Sequence, residues 1–192
     1  MGVEYELKFR ADRAVQAAIL AQVPGEDRHF AMQTTYYDTP TGQLSARRHT
    51  LRLRLENKLS VCTLKAPEKG AGRGEWEVEA ASNMEGIMKL CRSGADLELM
   101  RATAGGLMEV CGARFTRLAA PLEIPGAKVE LALDQGVLMG RGKELPFAEV
   151  EVELKEGADE AAVAFARALA EEFGLVPEEK SKFARAMALA MT

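Results

Sequence analysis

An α+β fold built on a largely antiparallel sheet is predicted by three features of the sequence. Five segments alternate apolar and charged residues with a period of two, which is typical of strands with two unlike faces. Connections of hairpin length join most of these segments and favour antiparallel pairing. Stretches rich in alanine and leucine predict helices near both ends and in the middle. No internal repeat or long linker divides the 192 residues, so we predict one domain over residues 1–192.

The first third of the chain is predicted to contain strands around one helix. Residues 3–9 alternate strictly, and Asp12 is a suitable N-cap for a helix over residues 13–23. Strand character returns in residues 28–38 and ends at a turn rich in Asp, Thr, Pro and Gly. Residues 44–46 are predicted to form a brief strand or turn.

A hairpin and a third charged strand follow in the sequence. Leucine and arginine alternate in residues 51–55, and residues 56–58 form a connection of hairpin length to a partner strand over residues 59–65. After a charged loop that contains three glycines, residues 75–79 alternate again, now between glutamate and apolar residues.

Helices are predicted in the middle and at the end of the chain. Ser82 or Asn83 could cap one helix, and Asp96 could cap another that extends to Val110 with an expected break at Gly105 and Gly106. Strands are then predicted at residues 114–118, 129–134, 137–140 and 147–154, with a turn at Gln135 and Gly136. The chain closes with helices over residues 159–173 and 177–191, the first ended by Gly174.

Composition excludes several classes of function. The net charge of −4 argues against a nucleic-acid partner, because no basic excess is available for phosphate backbones. The three cysteines contain no CxxC pair, and with only two histidines a zinc site or a Ser/His triad is not expected. The N-terminus has no apolar targeting segment and no run approaches transmembrane length, so we expect a cytoplasmic protein without a membrane partner.

Five strands have a charged face, and three of these faces contain charges of a single sign. The five faces are Glu4/Glu6/Lys8, Arg52/Arg54, Glu75/Glu77/Glu79, Lys128/Glu130/Asp134 and Glu149/Glu151/Glu153. If the helices cover the apolar face, the charged faces lie either in bulk water or inside a closed barrel. We favour the barrel because closure removes sheet edges. Grouped carboxylates suit Mg²⁺ or Mn²⁺, and guanidinium groups suit phosphate. The pattern therefore predicts a site for a metal–polyphosphate complex.

The chain also resembles the CYTH superfamily, the triphosphate tunnel metalloenzymes, over nearly its whole length. The opening Glu4-x-Glu6-x-Lys8 is similar to the ExExK signature of that family. Six further motifs follow in the expected order: Tyr36-Tyr37-Asp38-Thr39-Pro40, Leu51-Arg52-Leu53-Arg54, Thr63-Leu64-Lys65, Glu130 to Asp134, Glu149-x-Glu151-x-Glu153 and Ser181-Lys182-x-x-Arg185. The stretch Leu131-Ala132-Leu133-Asp134-Gln135-Gly136 looks most like the bacterial inorganic triphosphatases.

The resemblance implies a closed antiparallel eight-stranded β-barrel with helices outside, which hydrolyses inorganic triphosphate with Mg²⁺ or Mn²⁺. It implies triphosphate-binding roles for Lys8, Arg52, Arg54, Lys65, Arg73, Arg117, Lys182 and Arg185. It implies metal ligands at Glu4, Glu6, Asp134, Glu149, Glu151 and Glu153, with Glu75 and Glu77 as further candidates. Glu4, Glu6 and Lys8 are the implied catalytic residues.

Other activities remain open at this point. A class IV adenylate cyclase or a thiamine triphosphatase could use the same fold, and a non-catalytic module could bind polyphosphate without cleaving it. The expected partner is a small molecule that contains a triphosphate, and the sequence leaves a homodimer open.

Overall fold

The structure is a computed structural model that describes residues 2–3, 5–23, 28–67, 73–95 and 98–192, with side chains from residue 5 onward except that of residue 73. Within these residues the chain forms ten strands and six helices. The strands are β1 (Gly2–Val3), β2 (Glu6–Arg10), β3 (Arg28–Asp38), β4 (Thr50–Glu56), β5 (Leu59–Pro67), β6 (Arg73–Glu79), β7 (Met108–Ile124), β8 (Ala127–Gly140), β9 (Lys143–Gly157) and β10 (Val176–Pro177). The helices are α1 (Arg13–Gln22), α2 (Gln43–Ala46), α3 (Asn83–Arg92), α4 (Glu98–Thr103), α5 (Asp159–Phe173) and α6 (Lys182–Met191).

All ten strands belong to one sheet in the order β1-β6-β5-β4-β3-β7-β8-β9-β2-β10, and each neighbouring pair is antiparallel. The predicted α+β fold with a largely antiparallel sheet is confirmed. The predicted closed barrel of eight strands is wrong, because β1 and β10 form two edges that do not pair with each other.

The N-terminal segment pairs near both ends of the open sheet. Its first part, β1, pairs with β6, whereas its second part, β2, pairs with β9 toward the other end of the strand order. The outer edge of β2 is occupied by β10, in which Val176 and Pro177 pair with Arg10 and Phe9. Proline has no amide hydrogen to donate, so this two-residue strand ends the ladder. Side chains from β2 and β6 still line one cavity, which shows that the sheet curves strongly.

Two apolar clusters cover the outer face of the sheet. In the first, Ile19 of α1 and Ala162 of α5 pack against Leu131 and Val152 of the sheet. In the second, Leu64 and its neighbours in β4 and β5 pack against α3 and α4. These contacts shield from water the apolar face that the alternating pattern predicts.

Helix α6 lies on the inner face, contrary to the prediction that the helices pack outside. Ala186 and Phe183 of α6 pack with Met32, Tyr36 and other inward-facing residues. The rings of Phe183 and Tyr36 have centroids 5.1 Å apart. The helix is apolar enough to cover an inner patch, and it closes off part of the charged face.

Local hydrogen bonds and strand pairing correct two predictions, one for residues 44–46 and one for the end of α4. Residues 44–46, predicted as a strand or turn, belong to α2, because the Asp38 carboxylate accepts hydrogen bonds from the amides of Leu44 and Ser45. Helix α4 ends at Thr103, just before the break expected at Gly105 and Gly106, but its predicted continuation to Val110 is wrong because β7 begins at Met108 and pairs with β3. Its predicted cap, residue 96, lies outside the described residues.

Two predictions in the last third are also wrong. Gln135 and Gly136 do not form a turn, because β8 continues through them and pairs with both β7 and β9. The final helix begins at Lys182 and not at residue 177, which lies in β10. Helix α5 has its predicted bounds and ends at Gly174 in the left-handed conformation. None of the helices in the described ranges is both long and apolar enough to cross a membrane.

Candidate active site

The charged inner face of the sheet lines a cavity of about 320 Å³. In the described part of the chain, eight cationic side chains line it: Lys8, Arg28, Arg52, Arg54, Lys65, Arg117, Lys155 and Lys182. Seven carboxylates line it as well: Glu6, Glu56, Glu75, Glu77, Glu130, Glu151 and Glu153. Because both signs face one enclosure, the cavity can neutralise a bound anion and a bound cation together.

Strands β4 to β6 form the first wall of this cavity. The Arg52 Nη2 atom lies 3.6 Å from Glu75 Oε1 and 3.5 Å from Glu77 Oε1. Arg54 approaches the same Glu77 oxygen at 3.6 Å, and the Lys65 ammonium lies 3.5 Å from Glu75. The two glutamates therefore hold three cationic groups along one side of the cavity.

The guanidinium groups of this wall shift the pKa values of their neighbours. Burial lowers the pKa of Arg54, and the neighbouring Arg52 guanidinium lowers it further. Burial raises the pKa of Glu77, but Arg52 and Arg54 more than offset it, so the pKa of Glu77 lies below its ordinary value. Crowded guanidinium groups that stabilise a neighbouring carboxylate would also stabilise phosphate oxygens.

Strands β2 and β9 form a second wall, where the N-terminal motif meets the last strand of the alternating pattern. In the antiparallel register Lys8 lies opposite Glu151, and Glu6 lies opposite Glu153. The Lys8 ammonium is 3.7 Å from Glu6 Oε1, and the Lys155 ammonium is 2.8 Å from Glu153 Oε1. Carboxylates and ammonium groups alternate on this wall, in contrast to the more basic first wall.

A buried ion network continues from this second wall under α6. The Lys182 ammonium lies 2.7 Å from Asp134 Oδ2 and 2.7 Å from Glu151 Oε1, and it also contacts Glu149 Oε1. The side chains of Asp134 and Glu149 are fully buried, and that of Lys182 is 10% exposed. One ammonium group therefore joins three carboxylates that are shielded from water.

Two arginines bind the same carboxylates from other directions. Arg117 donates hydrogen bonds to Asp134 from Nε at 2.8 Å and from Nη2 at 2.7 Å, and it also donates to Glu151 Oε2. Arg185 donates to Glu149 Oε2. The network thus contains three carboxylates and three cationic groups, and its formal charges balance.

The pKa directions in this network follow from burial and pairing. Burial raises the pKa of Glu149. Burial also raises the pKa of Glu151, but the Lys182 and Arg117 cations more than offset it and hold the pKa of that carboxyl well below its usual range. Burial lowers the pKa of Lys182, yet Glu151, Asp134 and Glu149 together raise it above its ordinary value. Lys182 is therefore charged at neutral pH, and so is Glu151.

Helix α6 positions Lys182 through its first turn. The Ser181 hydroxyl caps the helix by accepting a hydrogen bond from the Ala184 amide at 3.1 Å. The Lys182 ammonium also lies 5.2 Å from the ring centroid of Phe115 and 5.5 Å from that of Phe147. These cation–π contacts and the three carboxylates fix the ammonium at one point.

The chemistry of the acidic cluster fits a divalent cation. One oxygen from each of Asp134, Glu149 and Glu151 lies within 4.8 Å of the others. Oxygen-only ligands are those that Mg²⁺ and Mn²⁺ prefer. The structure thus brings three of the predicted metal ligands together.

The other predicted site residues fall into three groups. Lys8, Arg52, Arg54, Lys65, Arg117, Lys182, Glu6 and Glu153 line the cavity, as do the further candidates Glu75 and Glu77. Among the described candidates, Arg185 lies behind the cavity wall with Asp134 and Glu149, and it also approaches Glu178 at 3.8 Å. Residue Glu4 and the side chain of Arg73 lie outside what the structure describes.

Four charged residues of the cavity were not predicted as site residues: Arg28, Glu56, Glu130 and Lys155. Glu56 continues the alternation of Arg52 and Arg54, and Lys155 continues that of Glu151 and Glu153. Extending these two alternations by one step would have found both residues, and Glu130 already belonged to a charged face. Arg28 lies in β3, for which the sequence predicted a strand but no charged face.

Gln16 of α1 supports the network from the outer face of the sheet. Its side-chain amide donates to the backbone oxygens of Asp134 at 3.1 Å and Glu149 at 2.9 Å. The Gln135 amide in turn donates to Gln16 Oε1. A buried polar side chain with these partners fixes the backbone of β8 and β9 where two acidic residues turn inward.

Comparison with known proteins gives one family and several related folds. The family model described as "CYTH domain" matches residues 2–187. An inorganic triphosphatase of Haemophilus influenzae (strain ATCC 51907 / DSM 11121 / KW20 / Rd) is 29% identical over 136 residues, which cover 69% of this chain. The match covers 38% of the length of that relative.

Solved structures share the fold at low sequence identity. The PH1819 protein of Pyrococcus horikoshii OT3 superposes with a TM-score of 0.66 at 22% identity, covering 97% of this chain and 99% of its own. The HpAC1 protein from Hippeastrum, for which a dominant triphosphatase activity is described, gives a TM-score of 0.64 at 17% identity and covers 98% of this chain and 96% of its own. These likenesses establish the fold.

Proposed function

Because this chain belongs to the CYTH domain family, we propose that it is an enzyme that hydrolyses inorganic triphosphate to pyrophosphate and phosphate, with Mg²⁺ or Mn²⁺ as its cofactor. The observation that carries the proposal is one cavity of about 320 Å³ that fifteen charged side chains of both signs line within the described residues. That volume lies at the lower end of the roughly 300–1,000 Å³ typical of small-molecule sites. The similarity to an inorganic triphosphatase supports the choice of substrate.

We assign substrate binding to the cationic side chains that surround the cavity. Arg52, Arg54 and Lys65 hold the triphosphate from the first wall, and Lys8 and Arg117 hold it from the other side. Arg73, Lys182 and Arg185 complete the proposed set. Guanidinium groups on opposing walls bind non-bridging oxygens and spread the negative charge that develops as phosphoryl transfer proceeds.

The acidic residues supply the second half of the proposed chemistry. We assign cation binding to Glu4, Glu6, Asp134, Glu149, Glu151 and Glu153, of which three already share one cluster. A bound divalent cation would neutralise phosphate charge and acidify the attacking water. Glu6, which lines the cavity beside Lys8, accepts the proton of that water, and Lys8 orients the phosphate oxygens.

A second candidate substrate is a triphosphate that carries an organic group. Tyr36, Phe115 and Phe183 line the cavity together with the charged side chains. An apolar end of this kind could receive the base of ATP, as in an adenylate cyclase, or the heterocycle of thiamine triphosphate. We rank tripolyphosphate first because charged residues dominate the lining.

The domain organisation and the partners of the enzyme are also proposed. We propose that residues 1–192 act as one catalytic domain on a small-molecule substrate, without nucleic acid or membrane. The three cysteines are free thiols in the described structure, which suits a reducing cytoplasm.

One assay tests the proposed function. Purified protein is incubated with tripolyphosphate, ATP or thiamine triphosphate, each with Mg²⁺ or Mn²⁺, and phosphate, pyrophosphate and cyclic AMP are measured. We expect the fastest turnover with tripolyphosphate and none after chelation of the metal. Cyclic AMP as the main product would identify a cyclase instead. Binding of tripolyphosphate without release of phosphate under either metal would identify a non-catalytic module.

A further inference from the structure

The three-carboxylate cluster of Asp134, Glu149 and Glu151 shares one internal cation. Lys182 contacts an oxygen of every carboxylate in the cluster, at 2.7 Å for Asp134 and Glu151 and in direct contact for Glu149. Those carboxylates are also the ones whose oxygens lie close enough to share a metal ion. The ammonium group and a divalent cation therefore need the same point in space.

The arginines of the network do not occupy that point. Arg117 donates to Oε2 of Glu151 and to both oxygens of Asp134, and Arg185 donates to Oε2 of Glu149. These planar groups leave Oε1 of Glu149 and Oε1 of Glu151 to Lys182, which shares Oδ2 of Asp134 with Arg117. Of these three cationic groups, Lys182 is the one that contacts all three carboxylates, so a cation that enters the cluster displaces the ammonium group first.

Charge also limits the cluster to one further cation at a time. Three carboxylates and two guanidinium groups leave one negative charge, which Lys182 neutralises. A divalent cation added beside the ammonium would place two positive centres within a few ångströms of each other in a buried site, where their repulsion is weakly screened.

We infer that Lys182 competes with the divalent cation for the Asp134, Glu149 and Glu151 oxygens, and that cation binding turns the Lys182 ammonium into the cavity toward the triphosphate. The inference rests on the proposed function for the identity of the anion. Lys182 itself lines the cavity, so its flexible four-carbon stem needs only to rotate between the Phe115 and Phe147 rings. The exchange couples the two ligands: metal and triphosphate favour each other's binding through one lysine.

The test measures Mn²⁺ affinity in the absence of any triphosphate, by electron paramagnetic resonance or calorimetry on the full chain. Lys182→Met keeps a long side chain but removes the competing charge, so we expect it to bind Mn²⁺ about tenfold or more tightly than the wild type. Lys180→Met is the matched control, because Lys180 is exposed two residues earlier and its removal changes the net charge equally. An unchanged or weaker Mn²⁺ affinity for Lys182→Met overturns the inference.

A second measurement uses the wild-type protein and does not depend on how the variant folds. The Lys182 ammonium is followed by nitrogen-15 NMR and assigned through its contacts with the rings of Phe115 and Phe147. We expect its protected, ion-paired signal to disappear as Mg²⁺ is added, with one equivalent per chain. A protected signal that persists at saturating Mg²⁺ overturns the inference.

These readouts separate the inference from the proposed function. If the protein cleaves none of the triphosphates but Lys182→Met tightens Mn²⁺ binding and the ammonium signal responds to Mg²⁺, the exchange stands and the proposed activity fails. If tripolyphosphate is cleaved while both binding measurements show no competition, the activity stands and the exchange fails.

Discussion

Gly140 of β8 touches the backbone of Ala186 in α6. A Cβ atom at Gly140 would lie 2.7 Å from the Ala186 carbonyl oxygen and 2.7 Å from the amide nitrogen of Ala190. No side chain separates the strand from the helix at this place. The contact therefore sets the depth at which α6 presents Lys182 to the acidic cluster.

Gly140→Ala tests how tightly α6 must dock. We expect the free energy of unfolding to fall by about 1–3 kcal/mol, because an added methyl group must push two backbones apart. Tripolyphosphate turnover should fall as well, since α6 carries Lys182 and Arg185. Gly105→Ala is the control, as a Cβ atom there meets no heavy atom within 4 Å. Urea denaturation and a phosphate-release assay give both quantities, and equal stability of the two variants would contradict the tight contact.

Arg117→Gln tests the balance of the buried network. The change leaves Asp134 and one oxygen of Glu151 without their guanidinium partner in a buried site. Removing one member of a buried ion pair costs about 3–5 kcal/mol. Arg114→Gln breaks an exposed pair with Glu144 and should cost about 0–1 kcal/mol. Chemical denaturation of both variants measures the difference, and a similar loss in both would show that the network contributes little to stability.

The alternating pattern predicted most of the residues that line the cavity, whereas the position of α6 and the closure of the sheet depend on long-range packing. Strands β2, β4 and the middle of β9 alternate regularly, so the inward positions of Lys8, Arg52 and Glu151 could be predicted from the sequence. The side of the sheet on which α6 packs could not be predicted from the sequence. It depends on the contact between Ala186 and Gly140, two residues that are distant in the chain. Closure of the sheet was likewise undetermined, since β10 takes the edge of β2.

The glycine at position 136 predicted a turn, but β8 continues through it and remains paired with both neighbouring strands. Gln135 followed by glycine resembles a turn, yet Gly136 lies opposite Phe115 in β7 and Phe147 in β9. A Cβ atom at Gly136 would overlap the β7 backbone at Arg114 and Phe115. The glycine therefore serves a close approach of two strands, a role that sequence alone does not distinguish from a turn.

Asp38→Asn tests the carboxylate that caps α2. Asp38 is 4% exposed and accepts from the amides of Thr39 at 2.7 Å, Leu44 at 2.8 Å and Ser45 at 3.1 Å. We expect the neutral amide to lower the free energy of unfolding by about 1–3 kcal/mol at pH 7, because hydrogen bonds to a charged acceptor are lost. Asp12→Asn is the control, since asparagine caps a helix nearly as well as aspartate.

The pH dependence of the Asp38 effect has a definite sign. Burial acts to raise the pKa of Asp38, but hydrogen bonds from Ser45, Leu44 and Thr39 lower it below its ordinary value of 3.8. The stabilisation is thus fully present above pH 3.8 and is lost as the pH falls through the lower folded pKa. Urea titrations from pH 7 to pH 2 should show the wild type converging on Asp38→Asn only at the acid end. A gap that stays constant would contradict this origin.

The cysteines should differ sharply in reactivity. Burial raises the pKa of Cys62 to about 11 and that of Cys111 to about 12. At pH 8 roughly one thiol in a thousand at Cys62 is ionised, and fewer at Cys111, so both should react slowly with a disulfide reagent. Cys91 is only half-buried and should react first. Native labelling at pH 8 should therefore give one fast thiol, absent in Cys91→Ser, and two more after unfolding; two fast thiols would contradict the burial.

Arg52→Gln tests the first wall of the cavity as an anion site. Glu75 and Glu77 keep Lys65 and Arg54 as partners, so we expect the variant to fold. Loss of a charge-assisted bond to phosphate, worth about 1.5–3 kcal/mol, should raise KM for tripolyphosphate about 10- to 100-fold with a smaller change in kcat. Arg52→Lys keeps the positive charge but loses the planar guanidinium group, so we expect its KM to lie between those of the wild type and Arg52→Gln. The control is Arg101→Gln, which removes an exposed partner of Glu98 on α4. Steady-state kinetics with tripolyphosphate decide the matter: if Arg52→Gln and Arg101→Gln share one KM, the first wall does not bind the substrate.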